Sequence, residues 1–222
     1  MLNYAVDPQL IRPQVPAETE IDFNNGETFL SIVGFLFLDT RLLGFPIPLS
    51  RDFEEVNLRF YVRRKSADTW RRGVVFIREL VPRHAIALFA RACYGENYLD
   101  LPMKYDIEHL DTNLKVEYSW RRGRNWESLK MTATSEAQSI PAGSHAEFIT
   151  EHYWGYMARR NSCSEHRVEH PRWKIWQTTG FEFKADVATR YGAQFVEVLN
   201  QPPRSAFIAD GSPITVQRRQ ML

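Results

Sequence analysis

Charged side chains are dense between Phe53 and Gly95, where two strand-like segments flank a polar link, and seven of them are candidates for chemistry: Glu54, Glu55, Arg59, Arg78, Glu79, Arg83 and His84. Such charges persist in apolar surroundings when they are paired or hydrogen-bonded. Two kinds of chemistry fit the set. Arginine grips a carboxylate through two parallel hydrogen bonds, so Arg59, Arg78 and Arg83, with Asn57 and His84, form a candidate ligand-binding group. A glutamate shielded from water gains proton affinity and can pass protons at neutral pH, which makes Glu79 and Glu55 the candidate acid/base residues. The plainer alternative is an ion-pair network that only fixes strand register.

The elements that must position these groups can be read from alternation. Val56, Leu58, Phe60 and Val62 share one face of a strand, and Glu55, Asn57, Arg59 and Tyr61 the other. Gly73 to Val81 is apolar on both sides apart from Arg78 and Glu79, as in a strand covered on both faces. A hairpin link at Lys65 to Arg72 brings Arg59 near Arg78 or Glu79, and charge pairing favours Arg59 opposite Glu79. Pro82 suits the first turn of a helix and Gly95 its C-terminal cap, which predicts a largely buried helix over Arg83 to Tyr94.

Other chemistries find little support. His166 and His170, beside Glu165 and Glu169, have the spacing of metal ligands on a helix. Pro171 and the extended pattern around them would hold the two rings apart. Neither a phosphate-binding glycine loop nor a serine elbow is present, and no metal or cofactor is expected. His145 and His152 read as aromatic packing or loop residues.

The rest of the chain is rich in strands. Asp7 caps a short helix that begins at Pro8, and Asn24-Asn25-Gly26 predicts a hairpin joining Ile21–Phe23 to Thr28–Leu38, with a bend or bulge at Gly34. A meander follows over Tyr105–Leu110, Leu114–Trp120 and Trp126–Thr134. The stretch His145–Met157 is compatible with a short helix. Arg172–Trp176, Phe181–Asp186 and Gln194–Leu199 read as strands, and Asp210-Gly211-Ser212 as a turn pairing Ser205–Ala209 with Ile214–Arg218. Strands joined by short turns, in a sheet too large to stay flat, predict an α+β fold dominated by an antiparallel barrel, in one domain spanning residues 1–222.

Bulk composition narrows the partners. With 28 basic and 27 acidic residues the net charge is +1, which gives no electrostatic case for nucleic acid. No apolar run reaches membrane-spanning length and no secretory signal opens the chain, so a cytoplasmic setting without membrane contact is expected. Cys93 and Cys163 lack metal-type spacing, in keeping with a reducing compartment. Unpaired barrel edges and abundant aromatics point to a homodimer.

Several segments carry a family resemblance: Phe53-Glu54-Glu55-Val56-Asn57-Leu58-Arg59, Gly73-Val74-Val75-Phe76-Ile77-Arg78-Glu79, Tyr98-Leu99-Asp100-Leu101-Pro102-Met103, His152-Tyr153-Trp154-Gly155-Tyr156 and Val168-Glu169-His170-Pro171-Arg172-Trp173. The chain resembles the YqjF-like proteins, a family of unknown function that looks like a branch of the acetoacetate decarboxylase-like superfamily. The resemblance implies a large curved antiparallel barrel around a small pocket. The decarboxylase pattern places a Pro-Lys pair after an Arg-Glu-Leu element, its lysine forming an imine with a β-keto acid. Here Arg78-Glu79-Leu80 is followed by Pro82-Arg83. Arginine stays protonated and forms no imine, which leaves Lys104, after Leu101-Pro102-Met103, as the substitute nearest in sequence. Three readings follow: a barrel binding a small anionic organic ligand, a lyase or hydrolase acting on a keto acid or related carbonyl compound, and a filled barrel of structural role.

Overall fold

The computed structural model describes residues 1–38, 52–67, 69–82, 98–159 and 162–222, with the backbone alone at 41–42 and 45–46. The chain begins with β1 (Leu2–Val6), the short helix α1 (Pro8–Ile11), β2 (Glu20–Ile21) and the long β3 (Thr28–Phe37). β4 (Arg41–Leu42) and β5 (Phe45–Pro46) form a small separate sheet. Next come β6 (Phe53–Ser66), β7 (Thr69–Val81), β8 (Tyr98–Asp100), β9 (Met103–His109), β10 (Asn113–Arg122) and β11 (Asn125–Ser139). Helix α2 (His145–Thr150) precedes β12 (Trp154–Arg159), β13 (Ser162–Glu169) and β14 (Lys174–Lys184). Two single-turn helices, α3 (Val187–Arg190) and α4 (Val196–Leu199), lead to β15 (Ser205–Ala209), β16 (Thr215–Val216) and β17 (Gln220–Met221).

Fifteen of these strands form one sheet in the order β16, β13, β12, β7, β6, β3, β1, β15, β14, β11, β10, β9, with β17 on β13, β2 on β6 and β8 on β7. Every ladder in it is antiparallel except those of β7 with β12 and with β8. The sheet curls so far that its centre packs against its end: Leu30, Leu58 and Phe60 share a core with Tyr118 and Trp120 of β10. It does not close as the sequence suggested. Among the described residues β9 and β16 end the hydrogen-bonded path without pairing to each other. A barrel needs a continuous ladder, whereas β16 has two residues and β9 is exposed over most of its length, with Lys104, Asp106 and Glu108 along it. Charge of this kind discourages further pairing at an edge.

Local signals explain much of the layout. Asp7 Oδ1 accepts a hydrogen bond from the Gln9 amide at 2.8 Å and caps α1, with Pro8 at its first position. The Asn24-Asn25-Gly26 turn forms, with Asn25 and Gly26 at φ 51° and 85°. Its first arm, however, pairs with β6 rather than β3 (Glu20 opposite Arg63, Ile21 opposite Val62), because β1 and β6 already occupy both edges of β3. Gln194–Leu199 is helical instead of extended, and buries Phe195 and Leu199, four residues apart on one side of the turn. Arg172–Trp176 and Phe181–Asp186 merge into the one strand β14, and β16 pairs with β13 rather than with β15. The helix expected over Arg83–Tyr94, and Cys93 within it, lie outside the described residues.

Gly34 is neither a bend nor a bulge: it stays in register opposite Val56. A Cβ there would lie 2.5 Å from the Tyr118 ring, so glycine is what lets β10 approach β3. Gly34→Ala should therefore destabilise the fold by about 1–3 kcal/mol through overpacking. Gly180→Ala, where an added Cβ meets nothing within 4 Å, should stay within about 0.5 kcal/mol of the parent. Urea unfolding of the two variants tests the contrast.

Candidate functional site

The β6–β7 hairpin decides which charges meet. Leu58 lies opposite Arg78 and Asn57 opposite Glu79, but Arg59 lies opposite Phe76, leaving Ile77 as an extra residue in β7. Cross-strand partners share a face, and an extra residue reverses the alternation beyond it. Val74 and Phe76 therefore share a face with Glu79, while Arg78 turns to the face of Leu58. The expected pairing of Arg59 with Glu79 is thus replaced by Asn57 with Glu79. The charged set divides between two faces: Glu55, Asn57, Arg59 and Glu79 on one, Glu54 and Arg78 on the other. Glu54 sits close enough to Tyr118 for its charge to add to burial in raising the phenol's pKa.

The first of these faces is a buried polar surface. Glu55, Asn57 and Glu79 are all buried, and Asn57 Nδ2 donates to Glu55 Oε1 at 2.9 Å. Farther along the same face, the Ser31 hydroxyl lies 2.6 Å from both Asn3 Oδ1 and the Tyr61 hydroxyl, and Asn3 Nδ2 reaches Ser205 Oγ at 2.9 Å. The Arg59 guanidinium stands 5.7 Å from the centre of the Tyr61 ring. Phe29, Val33, Tyr61 and Val74 pack here against Phe148 and Ile149 of α2. The surface is consequently shielded by the helix and keeps a low dielectric around its polar groups.

Against Tyr61 lies a second set that the sequence did not reveal. His152 packs on the Tyr61 ring at 4.7 Å between centroids and on Phe148 at 5.1 Å. Its Nε2 is 3.3 Å from Asp22 Oδ2, which also accepts from Arg72 Nε at 2.6 Å. Burial alone would raise the pKa of Asp22, but the hydrogen bonds from His152 and Arg72 outweigh it and leave the carboxyl below its usual range. Burial, with the charges of Arg72 and Arg59, lowers His152 to about 4 despite the opposing pull of Asp22. His152 is aromatic packing, as its neighbours implied, and also the neutral partner of a buried carboxylate. Positions 22 and 152 are too distant in sequence for any spacing rule. The available hint was an acid between Ile21 and Phe23 in a strand-like run.

Of the remaining candidates, Lys104 is exposed on β9, its Nζ 4.8 Å from the centre of the Trp126 ring, and does not join the buried set. Arg83 and His84 lie outside the described residues. Two further buried carboxylates are structural in character. Glu127 accepts from Trp120 Nε1 at 2.8 Å and pairs through both oxygens with buried Arg190, tying α3 to β11. Glu165 is held by Arg71 at 2.5 Å and Arg64 at 3.5 Å. No helix among the described residues is long and apolar enough to cross a membrane.

The curled antiparallel sheet has the acetoacetate decarboxylase-like fold. It superposes on an acetoacetate decarboxylase-like enzyme from Sphingomonas wittichii RW1 with a TM-score of 0.60 at 13% identity, over 100% of this chain and 89% of that one. The enduracididine biosynthesis enzyme MppR, in a complex with pyruvate, aligns at TM-score 0.58 and 12% identity, over 99% of this chain and 80% of that one. The chain belongs to the DUF2071 family of uncharacterized conserved proteins, whose pattern it matches over residues 1–213. It is similar to the uncharacterized protein YqjF of Bacillus subtilis, 27% identical over 179 residues, which cover 78% of this chain and 70% of that protein.

The His152 environment predicts a pH dependence of stability. An unfolded chain protonates this histidine near its ordinary 6.5, while the folded protein resists protonation down to about 4. The unfolded state binds more protons in that window, so stability should be full above it and fall as the pH drops through it, by on the order of 3 kcal/mol. Urea unfolding between pH 7 and pH 4 should show this slope, and His152→Gln should flatten it.

Proposed function

We propose that this protein binds a small organic anion on the buried polar face of β3, β6 and β7, with Arg59 as the partner of the anion. The observation that carries this reading is the state of Arg59. Its Nε is buried and makes no hydrogen bond among the described residues, as is also true of Arg78, but Arg59 alone of the two shares the face of Glu55, Asn57 and Glu79. A buried cationic donor without an acceptor is costly, and a bound carboxylate would meet it with charge-assisted hydrogen bonds. The neighbouring Glu55, Asn57 and Glu79 add polar groups that can orient such a ligand. The likeness to a protein complexed with pyruvate supports a ligand of this size and charge.

The lyase or hydrolase reading draws on a separate observation. Glu55 and Glu79 are two buried carboxyl groups on one face, either side of Asn57, an arrangement suited to acid/base work. The imine route is less well supported, because Lys104 lies exposed on β9 where water stabilises its charge.

Thermal and urea unfolding with acetate, propionate, pyruvate and acetoacetate test the binding reading. A ligand at a hundred times its dissociation constant should add about 2.7 kcal/mol. Arg59→Met should lose that gain, and Arg78→Met, altered on the opposite face, should retain it. Stabilisation that vanishes equally in both variants, or that no carboxylate produces, would sink the proposal. Borohydride reduction in the presence of acetoacetate should leave Lys104 unlabelled; a trapped adduct there would restore the imine route.

A further inference from the structure

We propose that the ligand of this face is an organic anion that also carries a hydroxyl or N–H donor, and that His152 selects it by accepting a hydrogen bond at Nδ1. The inference deepens the binding reading above and rests on it. It starts from three buried atoms that make no hydrogen bond among the described residues: Arg59 Nε, Asn57 Oδ1 and His152 Nδ1. Their chemistry is not alike. Arg59 is a cationic donor and calls for an anion. The other two are acceptors.

The acceptor character of each follows from its fixed side. Asn57 uses its Nδ2 to donate to Glu55 Oε1, so its free atom is the carbonyl oxygen. His152 Nε2 faces Asp22 Oδ2, which Arg72 also holds, and an ionised carboxylate can only accept. The ring proton is therefore on Nε2, which leaves Nδ1 as a bare lone pair. Burial and the nearby positive charges keep the ring neutral, so this lone pair persists at neutral pH. A simple carboxylate would answer Arg59 and leave both acceptors without a donor.

The three atoms belong to one region. Asn57 and Arg59 are successive residues on the same face of β6. The Arg59 guanidinium and the His152 ring pack against the same Tyr61 ring, and the charge of Arg59 is felt at His152. A site built to hydrogen-bond a ligand hydroxyl discriminates strongly against the analogue that lacks it. His152 is then a specificity residue, positioned by Asp22 and Arg72.

Matched pairs of acids differing by one hydroxyl decide the matter: lactate against propionate, 3-hydroxybutyrate against butyrate, malate against succinate, by titration calorimetry. We expect the parent protein to prefer the hydroxylated member of a bound pair by at least about tenfold, a difference of about 1.4 kcal/mol. His152→Phe should bring the ratio close to one through weaker binding of the hydroxy acid alone. If that variant does not fold, 15N-labelled histidine in the parent protein gives the answer. The Nδ1 resonance of His152 should move on adding the hydroxy acid and stay in place with its deoxy partner. Carboxylates that bind through Arg59 without any hydroxyl preference, or with no response at His152 Nδ1, would overturn this inference and leave the binding reading intact. If no acid binds, both fall.

Discussion

The extra residue at Ile77 is the constraint on which the buried polar face depends. β6 is paired with β3 on one side and β7 on the other, and each of its faces is covered. In such a strand, neighbouring side chains must go to opposite cores. A regular β7 would have turned Arg78 to the face of Arg59 and driven Glu79 in among Val56, Leu58 and Tyr118. By absorbing one residue between the ladders on either side, the bulge places Glu79 beside Asn57 and sends the second arginine away. Two like charges are kept apart and an acid is gathered into the polar set.

Buried charge elsewhere is handled by a repeated device. Asp22 meets Arg72, Glu127 meets Arg190, and Glu165 meets Arg71 and Arg64. The lysine pairs described, Lys115 with Glu108 and Lys130 with Glu117, lie toward solvent. A planar guanidinium is less strongly hydrated than an ammonium and can fork onto both oxygens of a carboxylate, so it loses less when taken out of water. The predominance of arginine over lysine in this chain thus has a structural use. Such pairs hold the sheet in register more than they stabilise it, since the desolvation of both partners offsets much of their attraction. Arg59 differs from these paired arginines: its buried Nε, like that of Arg78, has no hydrogen-bond partner among the described residues.

Fold and chemistry part company here. A TM-score near 0.6 at 11–13% identity carries the architecture, while function belongs to the particular side chains mounted on it. In this chain the central strands gather Glu55, Asn57, Arg59, Tyr61 and Glu79 on one face, with His152 packed on Tyr61 and hydrogen-bonded to Asp22. The lysine that the decarboxylase pattern would require has no counterpart in that group.

Local patterns in the sequence determined a good deal. The alternation of Val56, Leu58, Phe60 and Val62 against Glu55, Asn57, Arg59 and Tyr61 set the two faces of β6, because side-chain direction along a strand follows from backbone geometry alone. Asp7-Pro8 capped a helix, and the meander from β9 to β11 followed its turns. The tertiary structure decided whatever depends on long-range pairing. It set the bulge that separates Arg78 from Glu79, sent β2 to β6 and β16 to β13, left the sheet path open, and made Gln194–Leu199 helical. It also brought Asp22 and His152 together from 130 residues apart. No spacing rule reaches such contacts, because register and strand neighbours are chosen by the packing of the whole sheet rather than by the segment itself.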